Sequence, residues 1–335
     1  MKRTYLALPA ALCCLSSPAL AWDPVLYGDF SLQFSGGVNL TATRHAETVR
    51  TAYGYFDSTL TWTHEYEALT FGAELYSMVE FDNNFVGENL AVYGDPYVDV
   101  GLWVESESFG FLSYSNQSSA IGEICVEAPS SGDNFGHADY ITHGTCPSFD
   151  TRSVLYYKSL DLGGGYNVSA SYTPNSGMER VDIGAPATSA SMAISFDLTD
   201  AHGANWTGSF GVEKVLSVDG GGAQATAWQA GVNWAKNGVI VGGAVAFTDL
   251  GDGTNDSGIG FAVESDFSDK FGASLGVNWS QSASGETETS LSAIAMYSVV
   301  PDKVIIDAGV WYLHSDDGGG EDTRTILGIG ASIYF

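Results

Sequence analysis

The chain has 335 residues, 12 Lys plus Arg against 40 Asp plus Glu, 41 Gly, and 16% charged against 44% hydrophobic residues. A net charge of −28 excludes a nucleic-acid partner, since phosphate recognition needs basic patches, and it makes cations the favoured solutes. Charged residues fall below the roughly 25% of ordinary globular domains while Gly is near twice its usual share, which argues against a helical soluble protein and for strands with one side turned away from water.

Residues 1–21 read as a signal peptide. Lys2 and Arg3 form a basic start, Tyr5 to Leu15 an apolar run too short for a bilayer, and Ala19-Leu20-Ala21 a small-x-small cleavage site. Residues 22–335 then form one mature domain beginning at Trp22. Cys13 and Cys14 leave with the leader, and Leu12 stands where lipid attachment would need a small residue. No later stretch reaches the ~18 consecutive apolar residues of a spanning helix, so the exported chain is expected to be either soluble or a β-barrel.

From Tyr27 onward the apolar period is two, the period of a strand. Leu60 and Trp62 alternate with Thr59, Thr61 and Thr63; Phe71, Leu75 and Val79 alternate with Gly72, Glu74 and Tyr76. At the C-terminus Leu327, Ile329 and Ile333 alternate with Gly328, Gly330, Ser332 and Tyr334. The polar face is Gly, Ser, Thr, Asp and Glu with few Lys or Arg, which suits a water-filled lumen better than the solvent face of a sandwich. Sixteen such segments are predicted, near 27–42, 53–66, 69–81, 97–106, 109–116, 152–160, 166–173, 190–198, 205–216, 224–235, 239–249, 258–267, 271–281, 288–299, 304–314 and 323–335.

Short connections such as Glu67-Ala68 and Lys236-Asn237-Gly238 alternate with longer polar ones, at 43–52, 82–96, 117–151, 174–189, 217–223, 250–257, 282–287 and 315–322. The fold class expected is therefore all-β: a 16-stranded antiparallel transmembrane β-barrel, with short turns on one rim and long loops on the other. Aromatic residues near segment ends, Trp103, Tyr156, Trp206, Trp228, Trp234, Trp279, Trp311 and Tyr312 among them, read as interfacial girdles, with ordinary β-propensity as the competing reading.

The 35-residue connection 117–151 breaks the length pattern and is expected to be functional. It holds Cys125 and Cys146, the mature chain's two cysteines, which in an exported protein are expected to form a disulfide, against the alternative of free thiols.

Ser108-Phe109-Gly110-Phe111-Leu112-Ser113-Tyr114-Ser115-Asn116-Gln117, Arg152-Ser153-Val154-Leu155-Tyr156-Tyr157-Lys158-Ser159 and Val168-Ser169-Ala170-Ser171-Tyr172-Thr173-Pro174 flank and follow this loop. The ensemble resembles the general porins of Gram-negative outer membranes, of the alphaproteobacterial type, and the terminal Ile333-Tyr334-Phe335 is similar to that family's assembly signal. The resemblance covers essentially the whole mature chain. It implies a homotrimer in the outer membrane, inserted by the barrel-assembly machinery and contacting lipid and lipopolysaccharide, with the third loop folded inward to narrow each pore.

The resemblance further implies that acids on the loop face basic residues on the wall. Glu123, Glu127, Asp133, Asp139 and Asp150 are the loop acids, each with solvated loop charge as the alternative. Many family members carry Arg where this chain has Asn116; of the remaining bases Arg44, Arg50, Arg152, Lys158, Arg180 and Arg324, the best placed are Arg152 and Arg324. A thin basic cluster implies a cation-favouring diffusion channel for small hydrophilic solutes. A substrate-specific channel, for a sugar or other nutrient, would need a line of lumen aromatics, and Tyr76, Trp103, Tyr114 and Tyr334 are those of lumen parity. A barrel with a closed lumen, acting as adhesin or enzyme, is the third reading.

Other chemistry is thin, and no catalytic residue or cofactor is expected. His137, Asp139 and His143 share the loop without dense ligand spacing, and Gly272-Ala273-Ser274-Leu275-Gly276 matches a nucleophile pattern but lies inside a strand segment. Asp252, Asp256, Asp316 and Asp317 stand in Gly-rich loops that offer hard oxygen donors to structural Ca²⁺, with simple solvation as the competing reading.

Overall fold

The computed structural model describes residues 25–44, 48–84, 96–115, 118–131, 135–137, 145–146, 153–174, 187–222, 224–301 and 303–334, with side chains throughout except at 25, 48–54, 80–84, 96 and 97. The alternation folds into β1 (Val25–Tyr27), β2 (Phe30–Arg44), β3 (Thr48–Tyr66), β4 (Leu69–Asn84), β5 (Pro96–Ser106), β6 (Gly110–Ser115), β7 (Val154–Lys158), β8 (Tyr166–Thr173), β9 (Ala187–Thr199), β10 (Asn205–Val218), β11 (Thr226–Lys236), β12 (Val239–Asp249), β13 (Asn255–Ser268), β14 (Phe271–Gln281), β15 (Thr287–Val300), β16 (Val304–Asp316) and β17 (Glu321–Tyr334).

From β2 onward each strand pairs antiparallel with the next, and β17 returns to β2 from Leu327↔Arg44 to Tyr334↔Gly37, so sixteen strands close a ring. β1 is an addition to that ring. It pairs with residues 30–32 of β2, on the edge that β17 occupies at 37–44, after a reversal at Gly28 (φ 58°). Closure gives each of the sixteen strands a neighbour on both sides, the condition for a sheet to stand in hydrocarbon. No helix among the described residues is long and apolar enough to cross a membrane.

Two local departures from the sequence reading have physical causes. The expected loop 43–52 is mostly strand, with β2 reaching Arg44 and β3 starting at Thr48, because its Thr, Val and Tyr residues are good strand formers even where the alternation is polar. The expected segment 152–160 shortens to the five residues of β7, and its start at Val154 follows from the left-handed conformation of Ser153 (φ 59°), which interrupts the extended backbone. The two-residue turn Asn237-Gly238 has φ of 52° and 74°, the pair of positive values that a tight antiparallel hairpin requires.

The two faces of the sheet are reversed relative to a soluble protein. On β15 Leu291 is 54% exposed on the outside while its neighbours Ser290 and Ser292 are buried inside. Leu75, Val100, Ile194, Val245, Phe261, Leu275, Leu327 and Ile329 share the exposed outer face. Aromatic pairs mark its limits: Trp206 lies opposite Trp234, and Trp228 opposite Phe247. Trp228 and Trp234 are six residues apart on β11, about 20 Å along a tilted strand, so both fall within or at the margins of an apolar band about 25 Å tall.

Trp103, Tyr156 and Trp311 depart from the girdle expectation. Each has inward parity, paired opposite Ser113, Ser113 and Ser292 respectively. Tyr114 departs the other way: it pairs with outward Leu102 and is exposed on the lipid-side face, so it leaves the set of lumen aromatics. Leu275, midway between Phe271 and Trp279 on β14, tests the assignment of faces. Leu275→Arg is expected to cost about 2–4 kcal/mol in guanidinium unfolding from lipid vesicles, the penalty of a cation at the bilayer midplane.

Candidate functional site

Beyond β6 the chain turns into the barrel. A short helix, α1 (Ala120–Glu123), buries Ala120 and Ile121 against the inner wall. Ser119 Oγ donates to Glu213 Oε2 (2.6 Å) and Ser189 Oγ to Oε1 (2.7 Å), so one fully buried carboxylate of β10 joins the loop to β9. The Ala120 amide donates to Ser171 Oγ (2.9 Å), itself 2.7 Å from Ser191 Oγ. Around these bonds Ala120, Val154, Tyr156 and Ala193 pack with Phe111 and Ile124. Sequence analysis missed this apolar anchor inside the lumen.

The loop then runs along the wall with its backbone bonded to wall side chains. The Val126 amide donates to Ser209 Oγ (3.0 Å), Asn233 Nδ2 donates to the Glu127 carbonyl (3.0 Å), and the Ser131 amide donates to Ser274 Oγ (3.1 Å). Farther round, Asn278 Nδ2 donates to the His137 carbonyl (2.8 Å) and Trp311 Nε1 to the Gly136 carbonyl (3.1 Å). A buried loop backbone has to satisfy its polar groups, and here the inward Ser, Asn and Trp residues of β10 to β16 do so. Phe135 meets Trp311 edge-on (centroids 5.3 Å apart) within a cluster completed by Ile294, Leu313 and Ile326. Cys125 and Cys146 form a disulfide (Cα–Cα 5.8 Å) that fastens the loop to itself across 21 positions.

Glycines make room for this path. A Cβ at Gly231 would lie 1.9 Å from the Val126 carbonyl oxygen, one at Gly276 2.5 Å from the His137 ring, and one at Gly328 2.9 Å from Phe135. The described parts of the loop thus lie along the inner wall from β7 round to β17, across the lumen from that of β2 to β5. Ser274, centre of the nucleophile-like string, is one of the loop's wall anchors.

Glu123 and Glu127 are exposed on the loop. Asp133, Asp139, Asp150, Arg152 and Asn116, named from the sequence, lie outside the described residues, as do residues 1–21, Arg180 and the side chain of Arg50. Arg324 faces the lumen 3.9 Å from the buried Glu288, which offsets its charge. Arg44 shares the outward parity of Val38 and Leu40, and Lys158 has inward parity near the short-turn rim.

The described wall opposite the loop is acidic. Asp57, Glu74, Asp99 and Glu105 hold inward positions on β3, β4 and β5, and among the described side chains no Lys or Arg holds an inward position on β2 to β6. Asp57 accepts a hydrogen bond from Ser35 Oγ (2.5 Å). Loop and facing wall therefore carry charge of the same sign. The signal for these acids was their alternation with Leu60, Leu75 and Val100.

Asp252 is held by the hydroxyl and amide of Thr254, and Asp317 by the amides of Gly319 and Gly320, which keeps both carboxyls below their ordinary pKa. Asp316 accepts from the Gly318 amide and Asp256 from the Ala283 amide. Asp252, Asp316 and Asp317 thus accept from amides of their own turns and Asp256, in β13, from the loop after β14; among the described residues no group of three or more His, Cys, Asp or Glu is placed to hold a metal ion.

No family model and no curated protein matches the sequence. Solved structures do match in fold. Salmonella typhi OmpF, in a complex with daunomycin, aligns with a TM-score of 0.65 at 12% identity over 93% of this chain and all of its own. The trimer form of in-vitro folded OmpT, an outer membrane protein of Vibrio cholerae, gives 0.63 at 16% over 91% of this chain and 99% of its own. A triple mutant of Rh. blastica porin gives 0.60 at 14% over 91% of this chain and all of its own. The chain has the closed sixteen-stranded fold of outer-membrane porins and channels.

Two outcomes test the pinned loop. Gly231→Ala is expected to push the Val126 carbonyl off the wall into the lumen and lower single-channel conductance, while Gly320→Ala, with open space around it, leaves conductance unchanged. His137, on the loop, is 4% exposed, its Nδ1 is 2.6 Å from Ser292 Oγ, and desolvation lowers its pKa from 6.5 to about 4. A released loop, with the ordinary value, binds more protons than a docked one between those limits, so docking weakens as pH falls from about 6.5 through 4. Open-channel noise should rise over that window, and His137→Gln, which cannot charge, should flatten the rise.

Proposed function

We propose that the protein is an outer-membrane diffusion channel for small hydrophilic solutes and ions, with a preference for cations. The observation that carries the reading is the constriction itself: a loop pinned along the inner wall from β7 to β17, with exposed Glu123 and Glu127, facing a wall that holds Asp57, Glu74, Asp99 and Glu105. Carboxylates on both sides of a water-filled passage attract cations and repel anions over about a Debye length, near 10 Å at 0.1 M salt. Porins and channels among the solved structures of the same fold support the reading.

A homotrimer is part of the proposal. One neighbour in fold is described in a trimer form, and the five residues of β7 fall short of the ~9–11 that a strand needs to cross hydrocarbon, so this sector of the wall calls for a cover other than lipid. The outer membrane, its lipid and lipopolysaccharide, the assembly machinery and the cleaved leader belong to the same reading.

Reversal potential under a tenfold KCl gradient in planar bilayers tests it. Cation selectivity is expected, and Glu74→Gln with Asp99→Asn is expected to reduce the cation-to-anion permeability ratio about two- to fivefold, since each removes less than about 1 kcal/mol of screened attraction. An anion-favouring potential would sink the electrostatic part, and absence of liposome swelling with small sugars would sink the channel in favour of a closed-lumen adhesin or enzyme.

A further inference from the structure

Trp103 is the one tryptophan described on the inner wall opposite the loop, and its surroundings differ from those of Trp311. The Trp311 ring is fully buried and its N–H is bonded to the loop, whereas Trp103 is half-buried. Its indole lies against the backbone of Gly72 on β4, where a Cβ would come within 1.9 Å of Cε2 and 2.2 Å of Cζ2, and it stacks on Phe111 of β6 (centroids 6.1 Å apart, planes 28° apart). The ring is thus braced from behind and from one side. One pair along the ladder, Gly101 lies opposite Glu74 and keeps the space beside the ring open: a Cβ there would meet Glu74 Cβ only at 3.8 Å and Ser115 Cβ at 3.5 Å.

Carboxylates frame the ring. Glu74 is its diagonal neighbour, about 7–8 Å away between backbones; Glu105 and Asp99 lie two and four residues along β5. No hydrogen bond or ion pair occupies these three acids among the described residues. Lys158, the inward base in the row of Glu105, is separated from it by Phe111, two strands or about 10 Å away.

We propose that Trp103, with Glu74 and Glu105, forms a lumenal subsite for organic cations bearing an alkylated ammonium group. The inference rests on the channel reading for its access route. An indole face attracts cations through its quadrupole, and it does so best for weakly hydrated ones whose alkyl groups also bury apolar surface; the flanking carboxylates supply the longer-range attraction. Na⁺ and K⁺ hold their water and respond to the carboxylates alone. Trp103 is in this account the specificity-determining residue, and the acids set overall cation preference.

The test uses choline as probe and the full mature chain. Calorimetric titration in detergent micelles, which needs no conduction, should show choline binding that Trp103→Leu weakens about three- to tenfold, that Trp103→Tyr largely retains, and that Glu74→Gln also weakens. In bilayers, choline should reduce K⁺ current in the parent and less in Trp103→Leu, with the K⁺-to-Cl⁻ permeability ratio of that variant unchanged. Heat-modifiable migration on gels identifies folded barrels among the variants. Choline affinity unchanged in Trp103→Leu, or no choline binding by the folded parent, overturns the subsite while leaving the channel standing. Choline binding that depends on Trp103 in a barrel that passes no current supports the subsite and removes the channel reading.

Discussion

A backbone that crosses hydrocarbon must bond to itself all the way round, and the rest of the molecule depends on that requirement. The pairing of β17 with β2 meets it for the sheet. The same requirement applies a second time inside the barrel, where a loop leaves the ring between β6 and β7 and enters a narrow lumen. Its amides and carbonyls are bonded by Ser171, Ser209, Asn233, Ser274, Asn278 and Trp311, residues that would otherwise be ordinary lumen polarity.

Pinning the loop divides the inner surface into two sectors of different composition. On β8 to β17 many inward residues are small or amide-bearing, with charged Glu213, Glu288 and Arg324 buried or paired among them, and glycines let the loop approach to backbone contact. On β2 to β6 they are larger and acidic, including Asp57, Glu74, Tyr76 and Glu105. Hydrophobic packing contributes at α1, through Val154 and Tyr156, and again at Phe135, through Trp311, Leu313 and Ile326. The middle, by contrast, is held by hydrogen bonds and the disulfide. Apolar anchors with a polar span between them keep this stretch of the loop along the wall.

Much of this was legible in the sequence. Alternation assigned Leu327 and Ile329 to one face and Ser332 to the other, and the structure agrees, since period two admits one register when one face must be apolar. The cysteine pair was legible for the same kind of reason, as two thiols in an exported chain. The aromatics were misread where they were judged by position near a segment end. Trp311 and Tyr312 are adjacent, as are Tyr156 and Tyr157, so only one of each pair can face lipid. The loop's anchors were not legible: Ser119 and Glu213 are 94 positions apart, and nothing local marks them as partners. The inward acids Asp57, Glu74 and Asp99 were legible as the polar half of the alternation, but nothing local in the sequence marks that they face the loop.

Because the anchoring half and the solute-facing half are built from different strands, substitutions in one need not disturb the other. Charge or aromatic character on β3 to β5 can drift under selection for new permeants while the serine and glycine track that seats the loop is kept. A lineage can then retune what passes through its envelope without having to reinvent how the barrel folds, and a protein engineer inherits the same freedom.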